Sequence, residues 1–411
     1  MKKMKGLSQF VLVFLGCLPL FSSGQDSGIQ GRISALAAQT QSRFAPDKRV
    51  AIFNVTVDAD DSTKVTIETT EKEALSYFKS LLVKEMPALE IKESLLPAAG
   101  LSGKVYGIAN LSVANNRLRP THPSELVSQT LLGTPLEVLK RDEGYYLART
   151  PDGYISWLEE AAVTTMDTAA FQKWKAAEKI VFIADYGHAY SAPSDKAERV
   201  SDLVAGNILQ VLEKGKTYLR VLFPDNRTGY VQARLTQDYG KWLSRAQPSP
   251  EQIITTAKTL LGVPYLWGGT SVKGVDCSGF TKTSFFLNGI ILARDASQQA
   301  LNGEDVDIHE NDSVSIAKCL RNLKMGDLLF FGRKAQGEQK ERVIHTAIYL
   351  GNGEFIQSAG MVRINSLVNS AANFDKHQTK TLLRARRVLT AVGSPGIRRI
   401  ESHPLYSINK N

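Results

Sequence analysis

Cys277, His345 and Gln357 are the residues of this 411-residue chain whose types and surroundings could together do chemistry. Cys277 stands in Asp276-Cys277-Ser278-Gly279-Phe280, at the start of a run of helical character that extends to about residue 287. A thiol on the first helical turn meets unpaired backbone N–H groups and the positive end of the helix dipole. Both stabilise a thiolate, so this placement predicts a lowered pKa and an armed nucleophile. A buried structural cysteine is the plainer alternative. The polar neighbours Asp276 and Ser278 beside Gly279 argue against it.

A thiolate that attacks an amide needs a partner to protonate the leaving amine, and histidine has a suitable unperturbed pKa. Of six histidines, His122, His188, His309, His377 and His403 stand in turn-like or charged contexts and are expected at the surface. His345 differs, lying in the alternating run Val343-Ile344-His345-Thr346-Ala347-Ile348-Tyr349-Leu350, where a strand would project its imidazole from a rigid sheet. Gly351-Asn352-Gly353 then turns the chain into a hairpin that returns Gln357 towards His345. Direct opposition requires paired residues that sum to 702, whereas an odd sum would put Gln357 on the other face, and the sequence leaves the register open. Where the two meet, the Gln357 carboxamide oxygen accepts from the imidazole and fixes its tautomer. Cys277, Cys319 and His345 show no zinc-like spacing, so neither metal nor cofactor is expected. Cys319, with Ile316, Leu320 and Leu323 at helical intervals, reads as a packed core thiol.

These residues need a scaffold, and the length favours two to four domains. Hydrophobic residues at 43% and charged residues at 22% exclude collagen-like, wholly disordered and polytopic membrane classes. Fifty Lys plus Arg against 41 Asp plus Glu give +9, and no basic stripe with interleaved aromatics points to nucleic acid. Lys2, Lys3 and Lys5 precede an apolar run from Phe10 to Phe21, followed by Ser22, Ser23 and Gly24. That pattern reads as an export signal over 1–24, too short for a permanent membrane span. It places the mature chain in the periplasm or cell envelope. Lipidation at Cys17 is the weaker reading of the same segment.

Beyond the signal, 25–98 reads as a small α/β lead segment: two strands over 49–70 around an acidic turn at 58–61, then a helix over 71–86 ended by Pro87. Two segments, 99–166 and 167–246, resemble each other. Val127-Ser128, Gly133, Leu136, Val138 and Leu139 recur 73 residues on as Val200-Ser201, Gly206, Leu209, Val211 and Leu212. The match continues to Tyr145 with Tyr218 and Pro151-Asp152 with Pro224-Asp225; a three-residue insertion then aligns Gly153-Tyr154 with Gly229-Tyr230. Short alternating strands between turns predict two small antiparallel β barrels. Gln247-Pro248-Ser249-Pro250 reads as a linker, 247–390 as the last domain opening on a helix at 251–261, and 391–411 as a surface tail.

The last domain resembles the NlpC-type cell-wall cysteine peptidases, and the two segments before it resemble bacterial SH3-like domains. The first likeness rests on Tyr265-x-Trp267-Gly268-Gly269, Asp276-Cys277-Ser278-Gly279, Met325-Gly326-Asp327-Leu328 with Phe330-Phe331, and His345 with Ile348-Tyr349-Leu350-Gly351. It implies a multidomain α+β chain, two SH3-like barrels followed by a reduced papain-like α+β domain. The family's third polar residue falls twelve positions after its histidine, here Gln357, where relatives often carry histidine. Members with this layout cleave the γ-D-glutamyl bond to an L-diamino acid in peptidoglycan stem peptides or muropeptides, preferring a free N-terminal L-alanine. The resemblance assigns Cys277 as nucleophile forming a thioester and His345 as acid and base. Tyr265 is expected as an oxyanion donor, Trp267 as cleft wall, and both, with Asp276 and Ser278, as substrate-binding residues. Asp295 would face the substrate amine with Glu125 and Tyr154 of the first barrel, while Ala296 stands where a serine can occur. A non-catalytic cell-wall binding protein and another amide hydrolase or acyltransferase are the alternatives. Oligomeric state and the choice of diaminopimelate or lysine are not legible.

Overall fold

The computed structural model describes residues 26–244 and 248–407, so the export segment and Cys17 lie outside the described residues. The chain forms two compact units, one of Met1–Lys48 with Ile52–Leu95 and one of Arg49–Ala51 with Leu96–Asn411.

In the first unit, Phe53–Val57 and Lys64–Thr69 pair antiparallel, with Phe53 opposite Thr69. The turn between them is held by Asp58, whose Oδ1 accepts the N–H groups of Asp60 and Asp61 at 2.9 and 3.1 Å. Aspartate suits this task because its short side chain caps its own following turn. The helix Lys72–Glu85 buries Leu75, Phe78 and Leu82 at helical spacing against Phe53, Val65 and Ile67. The helix Asp26–Phe44 and the strand Glu90–Leu95, parallel to Lys64–Thr69, are additions to the expected pattern.

The second unit contains two seven-stranded sheets of one topology. Strands Tyr106–Ala109, Val113–Arg117, Leu126–Leu131, Tyr145–Arg149 and Ile155–Glu159 recur 73 residues on as Lys179–Phe182, Tyr186–Tyr190, Arg199–Val204, Tyr218–Leu222 and Thr228–Gln232. Even the bulges repeat, at Val138/Lys140 and Val211/Glu213. The offset stays constant, so the three-residue insertion is wrong. Gly153 matches Asn226, both at positive φ (87° and 68°), and Tyr154 therefore matches Arg227 rather than Tyr230. Asparagine can replace glycine there because it tolerates the left-handed region. The two barrels are also corrected: each sheet has a linear strand order, and among the described residues no ladder joins its outer strands. In the first sheet the edge Leu126–Leu131 is covered instead by Thr270, whose N–H and hydroxyl bond the Gln129 side-chain and backbone oxygens at 3.0 Å.

The helix Pro250–Thr259 starts in a capping box between Ser249 and Gln252 and leads into a six-stranded antiparallel sheet. Its order is Glu304–Val306, Leu382–Arg387, Leu328–Arg333, Arg342–Gly351, Glu354–Ala359, Met361–Ser366. Alternation in Leu328–Arg333 buries both faces: Leu328 and Phe330 join Phe280, Phe285 and Ile348, whereas Leu329 and Phe331 join Cys319, Ala347 and Tyr349. The expected surface tail is instead docked. Ile397–Arg399 pairs with Ile290–Leu292, and Ile397, Ile400 and Tyr406 are buried, because apolar side chains at these positions add to the core. His403, expected at the surface, is buried with them and accepts the Leu405 N–H at Nδ1.

Candidate active site

The helix Cys277–Phe286 begins where the sequence predicts, with Asp276 as its N-cap. Asp276 Oδ1 accepts the Gly279 N–H at 2.6 Å, and Oδ2 accepts the Gly268 N–H at 3.0 Å. Glycine at 279 is required by packing, since a Cβ would stand 1.9 Å from the Gly269 carbonyl oxygen. Arg294, buried, grips the same carboxylate through Nη2 at 2.5 Å and Nη1 at 3.2 Å. Nη1 also donates to the Ser278 hydroxyl at 3.0 Å and Nε to that of Ser128 at 3.1 Å. Asp276 and Ser278 border the cleft, yet their polar atoms are taken up by Arg294 and the helix start.

Cys277 is 7% exposed, and the nearby backbone N–H groups of Ser278 and Thr346 favour its thiolate. The helix Cys277–Phe286 packs against the strand Arg342–Gly351 that carries His345. Burial and the Asp276 carboxylate push the Cys277 thiol up to about 12, against those N–H groups and Arg294. Helix position alone predicts the opposite direction. The cap that starts the helix sets a negative charge beside the sulfur, and deep burial outweighs the dipole.

His345 Nε2 and Gln357 Oε1 are 2.6 Å apart. The pairs Ile348 with Ile356 and Tyr349 with Phe355 sum to 704, so Gln357 shares a face with His345 but stands two residues off direct opposition. Gln357 is fully buried, and its Nε2 donates to Asn365 Oδ1 at 2.9 Å and Asp375 Oδ2 at 3.2 Å. With both amide hydrogens claimed, the oxygen must face the imidazole. Nε2 then carries the proton, and Nδ1 is the basic nitrogen. Burial lowers the His345 pKa below its ordinary value, partly offset by Gln357 and Asp375.

A cleft of about 720 Å³ opens beside the sulfur, lined by Cys277, Tyr265, Trp267, Asp295, Glu125 and Tyr154. Burial and the nearby Cys277 and Asp276 hold the Tyr265 phenol above its ordinary pKa, so it remains a donor. Trp267 stands 60% exposed at the rim, and its indole N–H donates to Glu125 Oε1 at 2.7 Å. Gly268 permits this approach of the first sheet, because a Cβ there would meet the Leu126 carbonyl oxygen at 2.4 Å. Tyr154 is buried, and burial and Asp295 raise its phenol's pKa. Asp295 Oδ2 accepts from Arg49 Nη1 at 2.9 Å.

Residues 262–383 match the NlpC/P60 family, and residues 117–163 match the bacterial dipeptidyl-peptidase Sh3 domain. A Bacillus cereus protein named gamma-D-glutamyl-L-lysine dipeptidyl-peptidase is 30% identical over 253 residues, covering 59% of this chain and 70% of that protein. The chain belongs to the NlpC/P60 family. It is a cysteine peptidase of that family. Dipeptidyl-peptidase 6 of Lysinibacillus sphaericus is 26% identical over 62% of this chain and 89% of its own length. In fold, this NlpC/P60 peptidase resembles a crystal structure of a Bacillus cereus family protein, with TM-score 0.55 and 24% identity over 69% of this chain and 99% of that one.

Four residues of the peptidase site escaped sequence reasoning. Arg294 is a buried cation whose partner is eighteen positions away, Asn365 and Asp375 become neighbours of Gln357 only through strand pairing and a loop, and Arg49 reaches Asp295 across 246 positions. Arg294 directly before Asp295 was the one available signal, since a charged residue inside an otherwise apolar stretch demands a partner. Among the described residues no cluster of His, Cys, Asp and Glu could hold a metal ion, and no helix is long and apolar enough to cross a membrane.

Proposed function

We propose that this NlpC/P60 peptidase is an exported cell-envelope enzyme that hydrolyses the γ-D-glutamyl to L-diamino acid bond of peptidoglycan stem peptides with a free N-terminal L-alanine. The observation that carries the reading is the packing of the Cys277 helix against the His345 strand beside a cleft to which Glu125 and Tyr154, each just ahead of a strand of the first sheet, also belong. The names of the Bacillus cereus and Lysinibacillus sphaericus relatives support the substrate class. In domain terms, 99–166 and 167–246 are SH3-like modules and 247–390 is the catalytic domain.

In the proposed mechanism the Cys277 proton passes to His345 Nδ1 as the sulfur attacks the γ-carbonyl carbon, so the ion pair forms only when substrate is engaged. The developing oxyanion is met by the Cys277 backbone N–H and the Tyr265 hydroxyl. His345 returns the proton to the departing amine, the C–N bond breaks, and a thioester remains. Water, deprotonated by His345, hydrolyses that thioester, releasing L-Ala-γ-D-Glu and regenerating the thiol. Gln357 keeps Nδ1 the basic nitrogen throughout, with Asn365 and Asp375 holding Gln357. Asp295 and Glu125 supply negative charge for the substrate ammonium.

Mass spectrometry of digests of L-Ala-γ-D-Glu-diaminopimelate and of its lysine counterpart tests this. The protein should release L-Ala-D-Glu from at least one of them, and Cys277→Ala from neither. Cleavage at another bond would overturn the substrate assignment.

A further inference from the structure

Arg49 belongs with the catalytic unit, its carbonyl oxygen accepting the Ile155 N–H at 2.7 Å. Its Nη1 donates to Asp295 Oδ2 and to the Ser297 hydroxyl, both at 2.9 Å, and all three residues line the cleft. The side chains of the pair are 36% and 30% exposed, so the contact lies at the cleft surface and within reach of a ligand. The carboxylate assigned above to the substrate ammonium therefore already has a cation in contact with it. Two consequences follow from charge alone. A free amine must share or displace Arg49 and meets a like charge close by, which weakens its binding. A substrate whose alanine nitrogen is acylated brings no cation, yet it does not strand Asp295 unpaired, because Arg49 satisfies it. Rejection of an analogue that lacks a polar group depends on leaving the partner group unpaired, and Arg49 removes that penalty.

Resting on the function proposed above, we infer that Arg49 is a specificity-determining residue that relaxes the demand for a free N-terminus, admitting stem peptides whose L-alanine nitrogen carries an acyl group. The test compares kcat/KM for L-Ala-γ-D-Glu-diaminopimelate and its N-acetylated form. The unaltered protein should cleave both. In Arg49→Met the ratio of free to acetylated should widen by about fivefold, the free substrate gaining and the acetylated one losing, as expected for removal of a partly exposed charge. Ser297→Ala, which removes the second anchor of Arg49, should move the ratio the same way by less, and it covers the case in which Arg49→Met fails to fold. A ratio that is unchanged or narrowed in folded variants overturns the inference while leaving the γ-D-glutamyl cleavage standing. No cleavage of either substrate by the unaltered protein brings down both.

Discussion

The six-stranded sheet carries a helix with a free cysteine against each face, and the two thiols are built into opposite surroundings. Cys319, on Ile316–Asn322, is fully buried among Ile308, Leu329, Phe331 and Ala347, and burial pushes its thiol up to about 11. Cys277 is nearly as buried and its thiol is pushed slightly higher, to about 12. A shifted pKa therefore does not distinguish the reactive sulfur from the inert one. What differs is company: a tautomer-fixed histidine on the strand against which the Cys277 helix packs, and an open cleft, against the closed and mainly apolar cluster around Cys319. In the proposed mechanism nucleophilicity rests on a partner ready to take the proton.

Exchanging each thiol in turn tests the contrast most severely. Cys277→Ala should lose about 10⁴-fold or more in kcat, whereas Cys319→Ala should keep kcat/KM within about twofold. Gln357→Ala frees the imidazole to rotate or change tautomer and should lower kcat about 100-fold, with KM little changed. Alkylation by iodoacetamide sharpens the comparison in pH. Because the Cys277 pKa is raised, its thiolate fraction at pH 7 is below that of an ordinary cysteine, so the rate should climb about tenfold per pH unit without a plateau below pH 9. Cys319 should remain unmodified until the protein unfolds. A plateau near neutrality would show a resting thiolate and undo the neutral-pair reading.

Smaller effects are expected at the cleft rim and in the core. Glu125→Ala should raise KM about tenfold, through lost attraction for the substrate amine and a freed Trp267. Glu198, the residue 73 positions on in the second sheet, should be silent, since it does not border the cleft. Cys319→Ala should lower stability by about 1 to 2 kcal/mol in denaturant unfolding, the scale expected for removing one buried sulfur.

The legibility of this protein in its sequence follows physical range. Asp276, Cys277 and Gly279 could be placed because capping and helix initiation act over three residues. The His345 strand was visible in its period-two alternation and its Gly351-Asn352-Gly353 turn. Helix position is local and favours the thiolate, whereas the burial that raises the thiol's pKa belongs to the whole fold. Gln357 was found as a candidate, yet the pairing sum of 704 and the support from Asn365 and Asp375 depend on strand register, which no local pattern fixes. The repeat was legible as a 73-residue period, while barrel closure was not, because the edge strand Leu126–Leu131 is covered by Thr270 of another domain. The burial of Ile397, Ile400 and Tyr406 is not legible locally, because short apolar groups among charges resemble a tail until the partner strand Ile290–Leu292 is known.

Acid quenching during turnover of L-Ala-γ-D-Glu-diaminopimelate, followed by peptide mapping, addresses the nucleophile directly. The L-Ala-γ-D-Glu acyl group should be found on the peptide containing Cys277 and never on the one containing Cys319. Product release at an undiminished rate by Cys277→Ala, or acylation of Cys319, would contradict the account.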